Sequence, residues 1–303
     1  MTPAPVRAVI DVGTNTVLMV VGRWGEDGDL EILEDAHAIA RLGKGVDARR
    51  RLAAASIDRV CGILRDYRSR AEALGAGSVI AYGTSAVRDA ANRIDLIDQV
   101  RQQVGIELKV VAGGEEARLT WLGAGFRLPV PERFAVLDIG GGSTELAAGA
   151  AGRLLQSASV DIGAVRVTER CFGTLPPDPA DRKKATAFID AKLAQLFDYP
   201  DGLALVGVAG TATTLGAVDM EAKDSQAEAI NGHFLGTDRV GELAEHLLGL
   251  DVEAIRAIPQ IHPQRADIIA AGALILHRAL LRFGRPGLTV STRGIRYGLL
   301  LDS

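Results

Sequence analysis

Only two of the 303 residues are cysteine, Cys61 and Cys171. Two thiols are too few for a disulfide framework, and their separation matches no zinc or redox motif, so a reducing compartment is expected. The five histidines form no metal-ligand pair and no Cys/His or Ser/His signature, and none is assigned a role. No run of eighteen uninterrupted apolar residues occurs, which argues against a transmembrane helix. The start, Met1 to Arg7, lacks the apolar core of a signal peptide. A cytoplasmic protein is the default expectation. An excess of positive charge is also missing. The chain carries 34 Lys and Arg against 38 Asp and Glu, a net charge of −4. No overall basic field draws it to nucleic acid or to an anionic membrane. Any polyanion it holds needs a local basic patch.

Hydrophobic residues make up 48% and charged residues 24%, enough to bury full cores, and the length is a prior for two domains. The most informative feature is an internal repeat. Ala8-Val9-Ile10-Asp11-Val12-Gly13-Thr14-Asn15-Thr16 aligns without gaps on Ala135-Val136-Leu137-Asp138-Ile139-Gly140-Gly141-Gly142-Ser143, an offset of 135 − 8 = 127. Each copy reads as strand, tight polar turn, strand, which is a β-hairpin. A period this long exceeds the roughly 20–50 residues of solenoid repeats. It fits two lobes of like fold facing each other. Elsewhere strands alternate with helices: a helix over 53–74 with Ile57, Val60, Leu64 and Tyr67 on one stripe, a strand over 203–209, and helices over 238–248 and 264–281. This pattern predicts an α/β fold with mixed sheets flanked by helices. The lobe boundary falls near Gly125.

The two turns, Gly13-Thr14-Asn15-Thr16 and Gly140-Gly141-Gly142-Ser143-Thr144, offer closely spaced backbone N–H groups and hydroxyls. Glycine lets the main chain approach an anion. Either turn alone needs Gly merely to be tight; duplicated, they read as two jaws of one phosphate clamp. That reading requires Thr14 and Gly141 to face one crevice. Leu18 of the first copy becomes Glu145 in the second. A carboxylate beside phosphates is repulsive unless a hard cation such as Mg²⁺ lies between, and Asp138 is placed to share that ion. Glu115 and Glu116 open a helix after Gly113-Gly114. Acids there complement the helix dipole; the functional reading makes one of them a general base for water. Gly210-Thr211 and Gly83-Thr84-Ser85 are further strand-to-helix junctions suited to an anion or to capping. Arg88 lies one turn into its helix, within reach of phosphate oxygens or of solvent. Arg41, Lys44 and Arg49-Arg50-Arg51 form a charge run, either a solvated face or the local basic patch.

In order, Asp11–Thr16, Gly83–Arg88, Gly114–Arg118, Leu137–Glu145, Gly207–Thr211 and Ser291–Arg296 resemble the blocks of the exopolyphosphatase/guanosine pentaphosphate phosphohydrolase family across essentially the whole chain. The resemblance implies two ribonuclease-H-like lobes around a cleft, the actin-like/Hsp70-like/sugar-kinase fold. The first lobe would comprise residues 1–125 plus 292–303, the last helix returning to it, and the second 126–291. It also implies release of terminal orthophosphate from inorganic polyphosphate, with Mg²⁺. By position, Glu116 matches the water-activating glutamate, Asp138 and Glu145 the metal and catalytic acids, Arg88 a phosphate-binding arginine, and Gly140 to Ser143 the phosphate loop. Guanosine pentaphosphate is the closest competing substrate. An ATP-dependent kinase or a nucleotide-switched binding protein is the competing class, and a homodimer is the assembly implied. Longer members carry extra C-terminal domains that this sequence does not show, and Tyr297 departs from the Glu common at its position.

Overall fold

The computed structural model describes residues 5–26, 28–200, 202–222 and 227–302. The first half contains β1 (Val6–Val12), β2 (Thr16–Trp24), β3 (Leu30–Ile39), α1 (Val46–Arg49), α2 (Ala54–Ala73), β4 (Ala76–Gly83), α3 (Ser85–Asp89), α4 (Arg93–Gln99), β5 (Glu107–Val110) and α5 (Gly113–Ala124). The second contains β6 (Arg133–Ile139), β7 (Thr144–Ala150), β8 (Arg153–Val160), α6 (Ala164–Cys171), α7 (Pro179–Leu193), β9 (Ala204–Val208), α8 (Ala209–Asp219), α9 (Ala227–Ile230), β10 (Phe234–Gly236), α10 (Thr237–Leu248), α11 (Val252–Arg256), α12 (Ile269–Phe283), β11 (Gly287–Val290) and α13 (Ile295–Leu301).

The repeat is a structural one. The first sheet runs β3-β2-β1-β4-β5, and the second runs β8-β7-β6-β9-β11 with β10 added at its edge. In each, the hairpin and the third strand pair antiparallel, and the next strand joins the first in parallel. Registers match as well. Asp11 faces Leu18 and Asp138 faces Glu145, each pair displaced by 127 from the other. Directly opposed residues of an antiparallel pair lie on the same face of the sheet. Asp138 and Glu145 are therefore neighbours by register.

β1 and β6 are central strands, and their near-continuous apolar runs are buried on both faces. The stripe Ile57, Val60, Leu64 and Tyr67 of α2 packs with Ile10 and Val12. A larger core in the second half gathers Leu137, Ile139 and Leu146 with α7, α10 and α12. Between the sheets lies α5. Its Leu119 belongs to a cluster with Val9, Val20, Leu299 and Leu300, while Ala117, Trp121 and Ala124 pack against Phe134, Val136 and Ala147. The C-terminal helix α13 thus sits on the first sheet. Tyr297 Oη donates to Asp35 Oδ2 at 2.7 Å, and Arg296 forks onto both Asp35 oxygens at 2.9 and 2.8 Å. The tyrosine therefore serves the fold by anchoring α13 to β3.

Several boundaries differ from expectation. The helix after Asp178 stops at Leu193 rather than near Phe197, and α12 begins at Ile269, after a 3-10 turn over Pro263–Arg265. Pro263 fits a short turn and resists a longer helix upstream. The helical pattern over 94–104 ends in a π turn, Val100–Val104, closed by Gly105 at φ 72°. Edge strand β8 and the short β10 carry weak alternation, because edge positions are half-exposed. Among the described residues no helix is long and apolar enough to cross a membrane.

Candidate active site

The two repeated turns close in the same way. Gly13 N donates to Thr16 O at 3.0 Å, and Gly140 N donates to Ser143 O at 3.1 Å. They also meet. A methyl placed on Gly141 would lie 2.9 Å from Thr14 Cγ2, and one on Gly142 would lie 2.5 Å from Ser85 Oγ. A Cβ at either position would collide with Thr14 or Ser85, which accounts for Gly141 and Gly142. Thr14, Asn15, Ser85 and Ser143 are buried at this seam. Among the described residues, Asn15 Nδ2 and Ser85 Oγ have no hydrogen-bond partner. A buried donor left open is costly unless something else fills it.

Four carboxyl groups gather behind the turns. Asp11 ends β1, Asp138 ends β6, Glu145 opens β7, and Glu116 stands in the first turn of α5. Asp11, Glu116 and Glu145 are buried and Asp138 is partly so. Burial raises Glu145 well above the ordinary carboxyl range, and repulsion from Glu116 and Asp138 adds to it. Burial, then Glu116 and Asp138, raise Asp11 likewise. Glu116 is also raised by burial, although Arg88 opposes the shift. Two protein groups hold these acids in place. Arg88 Nη1 donates to Glu116 Oε2 at 2.8 Å, and Ser159 Oγ donates to Glu145 Oε1 at 2.6 Å. Among the described residues, Asp11 Oδ1 is buried without a partner.

Burial first, then Glu116, push Asp138 up to about 7 from an ordinary 3.8. Its folded state therefore keeps the proton longer than the unfolded chain. That contribution to stability is present below about pH 4 and is lost as pH rises through about 7. In EDTA, Asp138→Asn protein should melt with the wild type near pH 4 and above it near pH 8. Differential scanning fluorimetry across that range reads the gap; parallel curves would show that Asp138 ionises normally.

Cations complete the crevice. Arg88 also donates to Val111 O at 3.0 Å. From the second lobe, Arg265 Nη2 donates to Thr16 Oγ1 at 3.2 Å. Its guanidinium lies so close to Gly210 that a Cβ there would overlap it at 1.6 Å. Burial alone pulls Arg265 below its ordinary pKa, and no carboxylate among the described residues pairs with it. A partly buried guanidinium without a counter-charge is unfavourable unless an anion arrives. Just before Gly210, Ala209 takes φ 63°, a conformation L-residues seldom adopt and one found at ligand-binding turns.

The structure brings together Gly13, Thr14, Asn15, Thr16, Gly140, Gly141, Gly142, Ser143, Arg88, Glu116, Asp138 and Glu145. Thr211 is otherwise engaged: its hydroxyl donates to Ile139 O at 3.3 Å, which ties α8 to β6. Gly210 serves as a floor for Arg265. Of the basic run, Arg41 pairs with Asp267 and Arg51 stands 4.0 Å from Asp95, while Lys44, Arg49 and Arg50 are exposed. Three further residues join the site, and the sequence marks only two of them. Asp11 was legible as the 127-offset mate of Asp138. Ser85 lay inside the Gly83-Thr84-Ser85 junction. Arg265 carried no signal, because a 3-10 turn has no periodicity.

The residues present fit a divalent cation that takes few ligands from the protein. Among the described residues no group of three or more His, Cys, Asp and Glu side chains is arranged to hold a metal. Two opposed carboxyls, Asp138 and Glu145, do offer hard oxygen ligands. Mg²⁺ is commonly held by one or two carboxylates and completed by substrate phosphates.

The chain is 36% identical to "Exopolyphosphatase 2" of Mycobacterium tuberculosis over 97% of both chains. A solved Aquifex aeolicus Ppx/GppA family member superposes with a TM-score of 0.83 at 28% identity, covering 99% of this chain and 97% of that one. An exopolyphosphatase structure from Cytophaga hutchinsonii gives 0.87 at 26% identity, covering 98% and 97%. These neighbours share the two-lobed, actin-like architecture. The family model described as "Ppx/GppA phosphatase family" matches residues 20–303, and with the paired turns and converging acids in place, the chain belongs to that family.

Proposed function

We propose that the protein is an exopolyphosphatase that hydrolyses the terminal phosphoanhydride bond of inorganic polyphosphate. The observation that carries this reading is the Arg88–Glu116 pair, 2.8 Å apart, set beside the opposed Asp138 and Glu145 where two phosphate-type turns meet. The relatives named exopolyphosphatase support it. Phosphoryl transfer needs little covalent help from a protein; it needs positioning and charge neutralisation.

Arg88 is the residue suited to fork onto the terminal phosphate. As it turns to the substrate, Glu116 loses the cation that holds its pKa down, while its burial remains. Its basicity therefore rises as the phosphate docks. Glu116 then takes a proton from water, the water oxygen bonds to the terminal phosphorus, and the bridging P–O bond breaks. Orthophosphate leaves one way, and the shortened chain keeps the electron pair on its new terminal oxygen. The N–H groups of both turns, Ser143 and Arg265 hold the phosphate oxygens. Mg²⁺, held by Asp138 and Glu145 with Asp11 adjoining, would neutralise charge on those oxygens.

Orthophosphate release from polyphosphate should require Mg²⁺ and stop in EDTA. An absence of release with Mg²⁺ present would sink the reading. Guanosine pentaphosphate presents the same terminal anhydride, and head-to-head kcat/KM values decide between the two substrates. ATP consumption dependent on a sugar acceptor, without phosphate release, would place the chain among the kinases instead. A homodimer in the cytoplasm is the expected setting, and sedimentation velocity tests the dimer.

A further inference from the structure

The seam between the lobes is closed tightly. The cavity bounded by Thr14, Ser85, Gly141, Gly142, Asp89 and Arg166 measures about 20 Å³, room for a single water. The contacts that hold the lobes together here therefore set how the Thr14 and Gly141 turns meet.

A buried interlobe contact centres on Arg166 of α6, whose side chain is 6% exposed. Its guanidinium serves three different acceptors at once. Nε donates to Gly142 O at 2.7 Å, within the second phosphate turn. Nη2 donates to Asp89 Oδ2 at 2.6 Å, and Nη1 donates to Asp47, both on the first lobe. Arg170, one turn further along α6, adds a second cation on Asp47, its Nη2 at 2.7 Å from Oδ1. Gly45 N donates across the same seam to Glu169 Oε1 at 2.8 Å. Two arginines meet two aspartates, with Glu169 a third carboxylate at the seam. Asp89 is the chain neighbour of Arg88, which holds Glu116. One guanidinium therefore bridges the turn that cradles phosphate and the short helix that carries the arginine of the water-activating pair.

We propose that Arg166 is a positioning residue: closing the lobes onto it sets the Gly142 turn and the Arg88–Glu116 pair in register, and opening releases both together. The proposal rests on the exopolyphosphatase reading for its kinetic consequence, but not for its structural one. Only arginine has the planar fork for three acceptors; lysine keeps the charge and loses the geometry. A buried ion pair stripped of one partner leaves the other charge in a poor environment, which favours making and breaking these contacts together.

The test uses the full chain with spin labels at exposed Ala55 and Ala191, each replaced by cysteine, one on either lobe. Without ligand, the wild type should give one narrow interlobe distance, and Arg166→Met a longer, broader distribution. On polyphosphate, Arg166→Met should lower kcat about tenfold with KM within about threefold, because docking survives and closure does not. Arg166→Lys should recover part of both the distance and the rate. Asp89→Asn should show the same pattern more weakly, and combined with Arg166→Met should add little, as expected for contacting partners. It also carries the test if Arg166→Met fails to fold. A lower melting temperature with unchanged distances and unchanged kcat would make Arg166 a purely structural ion pair and overturn the proposal. If the wild type released no phosphate, the functional reading would fall alone, and the distance distributions would still decide the latch.

Discussion

Replacing Glu116 by Gln should lower kcat for phosphate release by about 10²–10⁴-fold, the usual worth of a positioned general base. The substitution keeps the side chain's shape and removes only its ability to take a proton. KM should stay level or fall. Glu116 repels anions as well as activating water, and without its charge Arg88 is freed for the substrate. The fold should survive. The ion pair with Arg88 is lost, but so is repulsion felt by Asp11, Asp138 and Glu145. Steady-state kinetics with circular dichroism as a control read both effects. A kcat within tenfold of the wild type would move the base elsewhere, with Glu145 the next candidate.

Arg265→Met should separate stability from function. The methionine keeps the apolar stem over Gly210 and deletes a charge that no carboxylate among the described residues pairs with. Ligand-free protein should melt about 2–4 °C higher, the shift expected from roughly 1 kcal/mol in a domain of 150–250 residues. Affinity for polyphosphate should drop instead. A phosphate contact made equally in the ground and transition states appears in KM, so KM should rise by about 10–100-fold with kcat changed less. Inorganic phosphate should stabilise the wild type more than the variant, since only the former binds it well. A variant that melts lower and hydrolyses polyphosphate normally would make Arg265 a packing residue.

These two residues also mark how far the amino-acid sequence reaches toward the site. Glu116 was legible because it stands in a block, Gly-Glu-Glu-Ala-Arg, at a strand-to-helix junction. The junction by itself left open which of two adjacent glutamates faces the cleft, and the family resemblance pointed to Glu116. The structure answers by helix geometry. Glu116 turns inward to Arg88, while Glu115 points out to Arg118 at 2.8 Å. The alignment of Leu18 with Glu145 was likewise legible, since an ungapped repeat preserves register. The direct opposition of Glu145 and Asp138 follows from that register. The environment that raises their pKa values does not, because it depends on groups brought in from α5.

By itself the sequence determined the local geometry: which segments are strands, where glycine must sit, that one lobe repeats the other at an offset of 127, and which family the blocks resemble. Backbone sterics and side-chain periodicity act between near neighbours, so they are written in the order of residues. Only the tertiary structure decided what meets across the cleft. Arg265 and Thr16 are 249 residues apart, Arg166 and Asp47 are 119 apart, and nothing in their local spacing announces either contact. Charges are paired or orphaned by distance in space, and that distance exists only once both lobes have folded and closed.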